Sequence, residues 1–418
     1  MVEKLVPTLR FLEFNENWEE KSLGEILSRR KEKHKISKDT PLLAFAAGQG
    51  VIDRSERKTN NRDFLTKDSK NKTYLLTEYN DIVYNPSNLK YGAIDRNSHG
   101  KGVISPIYVT FVSNVSPLFM EYIVKSYNFK QKALKYEEGT VIKRQSVHPK
   151  DLVKIKIKIP KTESERIKIG TFLSSIDKKM ELLEKKHDKF QNFKKYLMQQ
   201  IFTQKLRFNF SDEWKIVKLE SLIKKGKAGG TPSSTNSDYY NGDIPFLSIR
   251  DMTEQGKYIL KTEKTITEEG LNNSSAWIIP KNSLLYSIYA SIGLVAINRS
   301  DISTSQAIYG IILKEGVSLE YMYYYLTYFK KNIHKYIETG TQGNLNAKLL
   351  KSFEILLPSL EEQEMIVNVL SIVDEKIENS KKEIEKINEF KKGLLQQMFN
   401  NVRLVVINLI INEYICPL

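Results

Sequence analysis

Phe193-Lys194-Lys195-Tyr196-Leu197-Met198-Gln199-Gln200-Ile201-Phe202 returns 197 residues later as Phe390-Lys391-Lys392-Gly393-Leu394-Leu395-Gln396-Gln397-Met398-Phe399. Seven of the ten positions are identical, and the same offset carries Ile176 to Val373 and Asp177 to Asp374. Two unrelated amphipathic helices would share composition but not register, so this is a duplicated helix. Residues seven apart form one stripe: Ile176, Leu183, Phe190 and Leu197 in the first copy, Val373, Ser380, Ile387 and Leu394 in the second. The companion stripe is Leu173, Met180, His187 and Lys194, then Leu370, Ile377, Ile384 and Lys391. Apolar a and d positions over about three heptads, with Lys and Glu between them, predict a coiled coil. The shared register predicts that the two helices pack on each other. Each run starts just after a proline, Pro160 or Pro358, as a helix start should. Runs of roughly 35–40 residues would extend about 55–60 Å. His187 and Ser380 break the stripe, and a polar seam residue sets register.

Composition bounds the rest. A length of 418 residues predicts two to three domains, each with its own core. The 65 Lys and Arg against 50 Asp and Glu leave a net charge of +15, which favours an anionic partner, nucleic acid before a membrane surface. Cys416 is the single cysteine, which excludes an internal disulfide framework and a Cys-based zinc site. This usage fits a reducing cytoplasm, and no apolar run has secretory or transmembrane length. The locally apolar tail from Asn401 to Leu418 reads as packed or frayed.

The repeat extends beyond the helices. Phe14-Asn15-Glu16-Asn17-Trp18 answers Phe210-Ser211-Asp212-Glu213-Trp214, and Leu23 and Ile26 answer Leu219 and Leu222. Leu9-Arg10-Phe11 echoes Leu206-Arg207-Phe208, which directly follows the first helix. The pattern is quasi-cyclic, which places the N-terminal segment near the end of the second helix. Between Trp18 and Pro160, Tyr79–Tyr84, Val103-Ile104, Val109–Val112 and Lys154–Ile159 read as strands, Asn85-Pro86-Ser87-Asn88 as a turn, and Pro117 to Lys132 as one helix. The second half repeats this with strands at 282–286, 292–295, 305–309 and 353–358 and a helix from Leu319 to Lys331. One scaffold used twice with different decoration suits two readers of different sequences.

Catalytic constellations are missing. The Gly-Lys pairs at Gly100, Gly226 and Gly256 have Asp95, Ser221 and Asp251 where a phosphate loop needs its first glycine. Asn85-Pro86-Ser87-Asn88 lacks the second proline and the aromatic residue of the amino-methyltransferase loop that stacks a flipped base. The five histidines, at 34, 99, 148, 187 and 334, show no metal-ligand spacing. Basic and polar loops with interleaved aromatics are present instead. Arg57 and Lys58 lie in one; Asn85, Lys90, Tyr91 and Arg96 lie in a second. In the other half come Lys227, Gly230 and Thr231 in a flexible, donor-rich turn, then Ser248 with Arg250, then Tyr289 with Ser291. Lys and Arg neutralise phosphates, whereas Arg, Asn, Gln and Ser read base edges. On these grounds a DNA-binding protein is expected. The alternatives are a coiled-coil protein-binding scaffold without DNA specificity and a self-sufficient DNA-modifying enzyme.

Several segments together resemble the specificity subunit of type I restriction–modification systems, across essentially all of residues 1–400. They are Gly229-Gly230-Thr231-Pro232-Ser233, the run from Gly242 through Ser248-Ile249-Arg250-Asp251-Met252, Ser291-Ile292-Gly293, Gly340-Thr341-Gln342-Gly343-Asn344-Leu345-Asn346, and Leu357-Pro358-Ser359-Leu360-Glu361-Glu362-Gln363-Glu364. Lys-Lys-x-Leu-x-Gln-Gln at both helix ends completes the likeness. The first half departs more: it lacks Gly-Gly-Thr-Pro-Ser, and Thr140-Val141-Ile142-Lys143-Arg144-Gln145 stands where the family loop usually has a Gly and Asn.

The resemblance implies an α+β chain. Two similar α/β target-recognition domains are separated by two long antiparallel helices in a coiled coil, with a quasi-two-fold internal repeat. The expected boundaries are 1–160 for the first recognition domain (1–12 packing near the helix ends), 161–203 for the central spacer helix, 204–358 for the second domain, 359–400 for the C-terminal spacer helix, and 401–418 for a tail of unassigned role. It further implies a non-catalytic, cytoplasmic subunit in which each domain reads half of a bipartite duplex-DNA target. Arg144, Gln145, Gln342 and Asn344 join the DNA-binding set. Phe193, Leu197, Gln200, Phe390, Leu394 and Gln397 would face two methyltransferase subunits, and restriction and motor subunits complete the assembly. The chain itself needs no cofactor or metal; S-adenosylmethionine and ATP with magnesium belong to the partners.

Overall fold

The computed structural model describes residues 7–56, 72–138, 146–289, 291–335 and 345–399. The chain divides into two compact units, one running to Glu184 and resuming at Lys382, the other Lys185–Lys381. Both long helices, Glu163–Phe202 and Leu360–Phe399, contribute to each unit. Each is 40 residues long and carries two glutamates in its first turn, where the helix dipole favours negative charge. None of the sixteen a and d positions is exposed, because each faces the partner helix or a globular layer. In the second unit Lys194 pairs with Asp374 and His187 Nδ1 with Ser380 Oγ at 2.8 Å. Residue numbers rise on one helix as they fall on the other, so the helices are antiparallel there. The polar seam pair is mutually satisfied.

In the first unit, strand Glu19–Ser22 pairs antiparallel with Lys156–Ile159, and Glu19 lies opposite Ile159. A four-residue helix, Leu23–Ile26, then leads into a four-stranded antiparallel sheet ordered Leu27–Arg30, Val109–Ser113, Ile82–Tyr84, Ile94–Arg96. Helices Pro117–Lys125 and Tyr127–Leu134 cover one face, burying Phe119, Met120, Tyr122 and Ile123 in a core that also holds Ile387, Phe390 and Leu394 of the second long helix. The single helix expected over Pro117 to Lys132 is two. Ser126 adopts an extended backbone, and its hydroxyl accepts the Phe129 amide at 3.2 Å to cap the next helix. The Asn85-Pro86 turn is a short 3-10 helix, Pro86–Tyr91, capped by Asn85.

The second unit repeats this plan. Strand Lys215–Lys218 pairs with Glu354–Leu357, and helix Leu219–Leu222 leads into a sheet ordered Ile223–Ala228, Ile308–Leu313, Leu284–Ser287, Val295–Asn298. A parallel fifth strand, Tyr258–Ile259, is added at the far edge. Tyr84 lies opposite Val109 as Tyr286 lies opposite Tyr309. Helix Leu319–Phe329 covers the sheet and buries Tyr321, Tyr324 and Leu326. The insertions differ. The first unit adds hairpin Leu43–Ala46/Gly50–Asp53, whereas the second adds strand Tyr240–Leu247 between Lys264–Ile266 and Ser303–Thr304. The fold class is α+β with a quasi-two-fold internal repeat.

Two buried polar clusters are also duplicated. Glu165 accepts the Trp18 indole at 3.1 Å and Arg10 through two hydrogen bonds of 2.7 Å. Glu362 likewise accepts the Trp214 indole at 2.9 Å and Arg207 at 3.0 Å. The quasi-cyclic expectation holds in detail: Leu9 N donates to Gln397 O at 3.1 Å, as Leu206 N donates to Gln200 O at 3.0 Å. The N-terminal strand of chain thus takes, beside the second helix, the place that the following chain takes beside the first. Among the described residues no helix is long and apolar enough to cross a membrane, and no group of three or more His, Cys, Asp and Glu is placed to hold a metal ion.

Candidate nucleic-acid interface

In the second unit the sheet brings most of the sequence-selected residues to one corner. Strand Ile223–Ala228 is an edge strand, with Lys224, Lys225 and Lys227 exposed. Lys225 and Lys227 lie opposite Ile312 and Gly310 on one face, where the Lys225 ammonium rests 4.9 Å from the Trp277 ring. Beyond the strand, Gly229 N donates to Ile308 O and Gly230 N to Thr304 O, both at 2.9 Å. A Cβ at Gly229 would collide with the Thr304 carbonyl, and one at Gly230 with Ser275. The glycines therefore serve close approach. They do not form the donor-rich flexible turn expected, and Gly230 has no amide left for a ligand. Their reward is placement: the Thr231 hydroxyl donates to Gln306 Oε1 across the corner.

Three other elements end at the same corner. Ser305 N donates to Leu247 O at 3.2 Å, which sets Ser248 beside it, and Ile288 N donates to Ala307 O at 2.9 Å, which brings up Tyr289. Tyr289 is partly exposed, and Ser291 holds a left-handed backbone conformation (φ +53°) that fixes the turn. Ser248 is less available than expected. It caps helix Ile249–Gln255, with its hydroxyl and amide both bonded to Asp251. Arg250, one residue into that helix, is 68% exposed. Glu254 bonds it at 2.8 Å and Glu263 lies at 3.6 Å, and these carboxylates raise the guanidinium further above its ordinary pKa. Gln306 and Trp277 were not singled out as site residues from sequence; a Gln in the turn just before the apolar strand Ile308–Leu313 was the one local signal.

The first unit disperses its candidates. Tyr91 is 69% exposed beside a recess of about 700 Å³ lined by Phe45, Gln49, Asn85, Asn88 and Tyr108. Lys90 is half-buried, 3.5 Å from Glu137 and 5.6 Å from the Tyr91 ring. Two candidates are spent inside the fold. Asn85 is buried, and its Oδ1 accepts the Ser87 amide at 3.0 Å. Arg96 is buried between Glu121 at 2.7 Å and Asn80 at 3.1 Å, because burial of the guanidinium demands paired acceptors. Arg57, Lys58, Arg144, Gln145, Gln342 and Asn344 lie outside the described residues, as does the apolar tail. On the helices, Leu197, Phe390 and Leu394 are buried against their own unit's core, while Gln200 and Gln397 are half-buried and Phe193 is half exposed next to the exposed Tyr196.

Comparison with known proteins agrees with this architecture. Residues 211–389 match the model of the type I restriction modification DNA specificity domain. The MjaIX type I restriction enzyme specificity subunit of Methanocaldococcus jannaschii is 35% identical over 194 residues, 45% of this chain and 43% of that protein. The chain thus spans less than half the length of that relative. The MjaX specificity subunit of the same organism, named as a putative type I restriction enzyme, is 27% identical over 68% of this chain and 67% of its own length. Among solved structures, the S subunit of a type I restriction–modification system from M. genitalium superposes with a TM-score of 0.58 at 15% identity, covering 95% of this chain and all of that one. Residues 211–389 therefore belong to the family of type I restriction modification DNA specificity domains, and the chain that carries them shares its fold and its sequence likeness with the specificity subunits of type I restriction–modification systems.

Proposed function

We propose that this chain is the non-catalytic DNA-recognition subunit of a type I restriction–modification complex. Each unit reads one half of a bipartite duplex target, with recognition domains at 1–160 and 204–358. The helices at 161–203 and 359–400 set the unread spacer and dock two methyltransferase subunits, which bring S-adenosylmethionine; restriction and motor subunits bring ATP and magnesium. The observation that carries this reading is the single scaffold built twice, with the same sheet order and different insertions. A repeat that keeps its frame and changes its decoration suits one task performed on two sequences. The net charge of +15 supports a polyanionic partner. Lys227, Thr231, Arg250 and Tyr289 are the exposed groups of the second reader, and Tyr91 is the most exposed of the first. Phe193, with Tyr196, is the exposed apolar pair offered to a partner.

The test is genome-wide adenine-methylation mapping in a cytoplasm lacking such systems, with the chain expressed beside a cognate methyltransferase subunit. A split motif with a fixed gap, absent without the chain, is the expected result. A stable complex that methylates a continuous motif, or none, contradicts the proposal.

A further inference from the structure

We propose that Lys227 and Gln306 of the second unit, the latter oriented by Thr231, clamp a backbone phosphate of duplex DNA, so that this corner holds the duplex without reading its bases. The inference rests on the DNA-recognition reading above and narrows it. Three observations carry it. The corner is cationic and has no nearby acid in sequence: Lys224, Lys225 and Lys227 are exposed, and no Asp or Glu occurs between Glu220 and Asp238. Next, the Thr231 hydroxyl donates to Gln306 Oε1, which orients the exposed Gln306 amide and leaves its N–H donors for another partner. The corner therefore presents an ammonium and oriented amide N–H groups as donors. A Gln that reads adenine offers its donor and its acceptor side by side, and here the Thr231 hydroxyl sits at that acceptor, whereas a phosphate asks only for donors and charge.

Finally, the matching positions of the first unit lack the device. Its register aligns Val109 with Tyr309, each opposite the matching tyrosine, so Pro106 and Ile107 occupy the places of Gln306 and Ala307. Ile107 is 62% exposed and offers no donor. The neighbouring cation, Arg30, is committed to Asp81 through bonds of 2.8 and 3.1 Å. Among the described residues the clamp belongs to the second unit alone.

The experiment measures affinity of the full chain, in complex with its methyltransferase subunits, for duplexes with and without its motif across a salt series. Lys227→Gln should reduce the slope of log affinity against log salt by about 0.9, one phosphate's worth of released counterion. Gln306→Ala, an exposed site, should weaken both duplexes equally, by about tenfold, and leave the methylated motif unchanged. Relaxation of one base position, a guanine above all since it also presents two acceptors, would make Gln306 a base reader and overturn the clamp. Variants that bind as wild type does would overturn it too. If the unmodified complex yields no split motif, the broader function fails; if it does and only the variants disappoint, the clamp alone fails.

Discussion

Lys194 Nζ lies 2.5 Å from Asp374 Oδ1, and the same carboxylate accepts the Tyr324 hydroxyl at 2.6 Å. Lys391, Asp177 and Tyr122 repeat the arrangement in the other unit, where the Tyr122 hydroxyl meets Asp177 at 2.7 Å. Lys194 and Lys391, like Asp177 and Asp374, are 197 residues apart. Each cluster takes its lysine from one repeat and its aspartate and tyrosine from the other. The antiparallel helices thus lock the two repeats together through identical bonds made in opposite directions.

Asp374→Ala should therefore lower the stability of the chain by about 1–3 kcal/mol, since it strands a half-buried ammonium and a buried phenol. Urea denaturation followed by far-UV circular dichroism reads this, and a midpoint equal to wild type would show the cluster to be ornamental.

Glu362 is almost fully buried and serves both the Trp214 indole and Arg207. Glu362→Ala should cost about 3–5 kcal/mol, because the arginine is left beside a buried site without its counter-charge. Glu362→Gln keeps an acceptor for the indole and should cost less. Thermal unfolding ranks the two, and the reverse order would refute the account.

His187 and Ser380 face each other across a seam that is otherwise largely apolar, and Gln191 Nε2 lies 2.8 Å from His187 Nε2. The repeat places Leu183 and Ile384 at the matching positions. His187→Ile or Ser380→Leu alone breaks the bond between His187 and Ser380 across the seam, so the double variant should be more stable than either single one. A double-mutant cycle measures the coupling, and strictly additive losses would argue against a register pair.

Removing one heptad from a long helix shortens it by about 10 Å. The permitted spacer between the half-sites should change by about three base pairs, at 3.4 Å each, with both half-sites still read. Methylation mapping that returned the original gap would separate helix length from spacer length.

Arg250→Ala should alter or weaken recognition of the second half-site only, because the exposed guanidinium stands on the second unit's helix Ile249–Gln255. Equal losses at both half-sites in a binding assay would remove Arg250 from the reading surface.

Periodic information in the chain determined the frame. The 197-residue offset, the heptad stripes, the strand alternation and the echo of Leu9-Arg10-Phe11 were enough to place two equivalent units, two long helices and an N-terminal segment beside the second helix end. These are legible because helix and strand periods follow from the backbone and repeat at fixed intervals. Tertiary structure alone decided which polar groups were still available. Asn85 and Arg96 look like DNA contacts in sequence, yet burial commits both to partners within the unit. Thr231 and Gln306, 75 residues apart, meet because two glycines let one strand's continuation lie against another. Such pairings depend on how sheets and insertions close in three dimensions, because the groups that meet come from segments far apart in the chain and no local pattern records which will face each other.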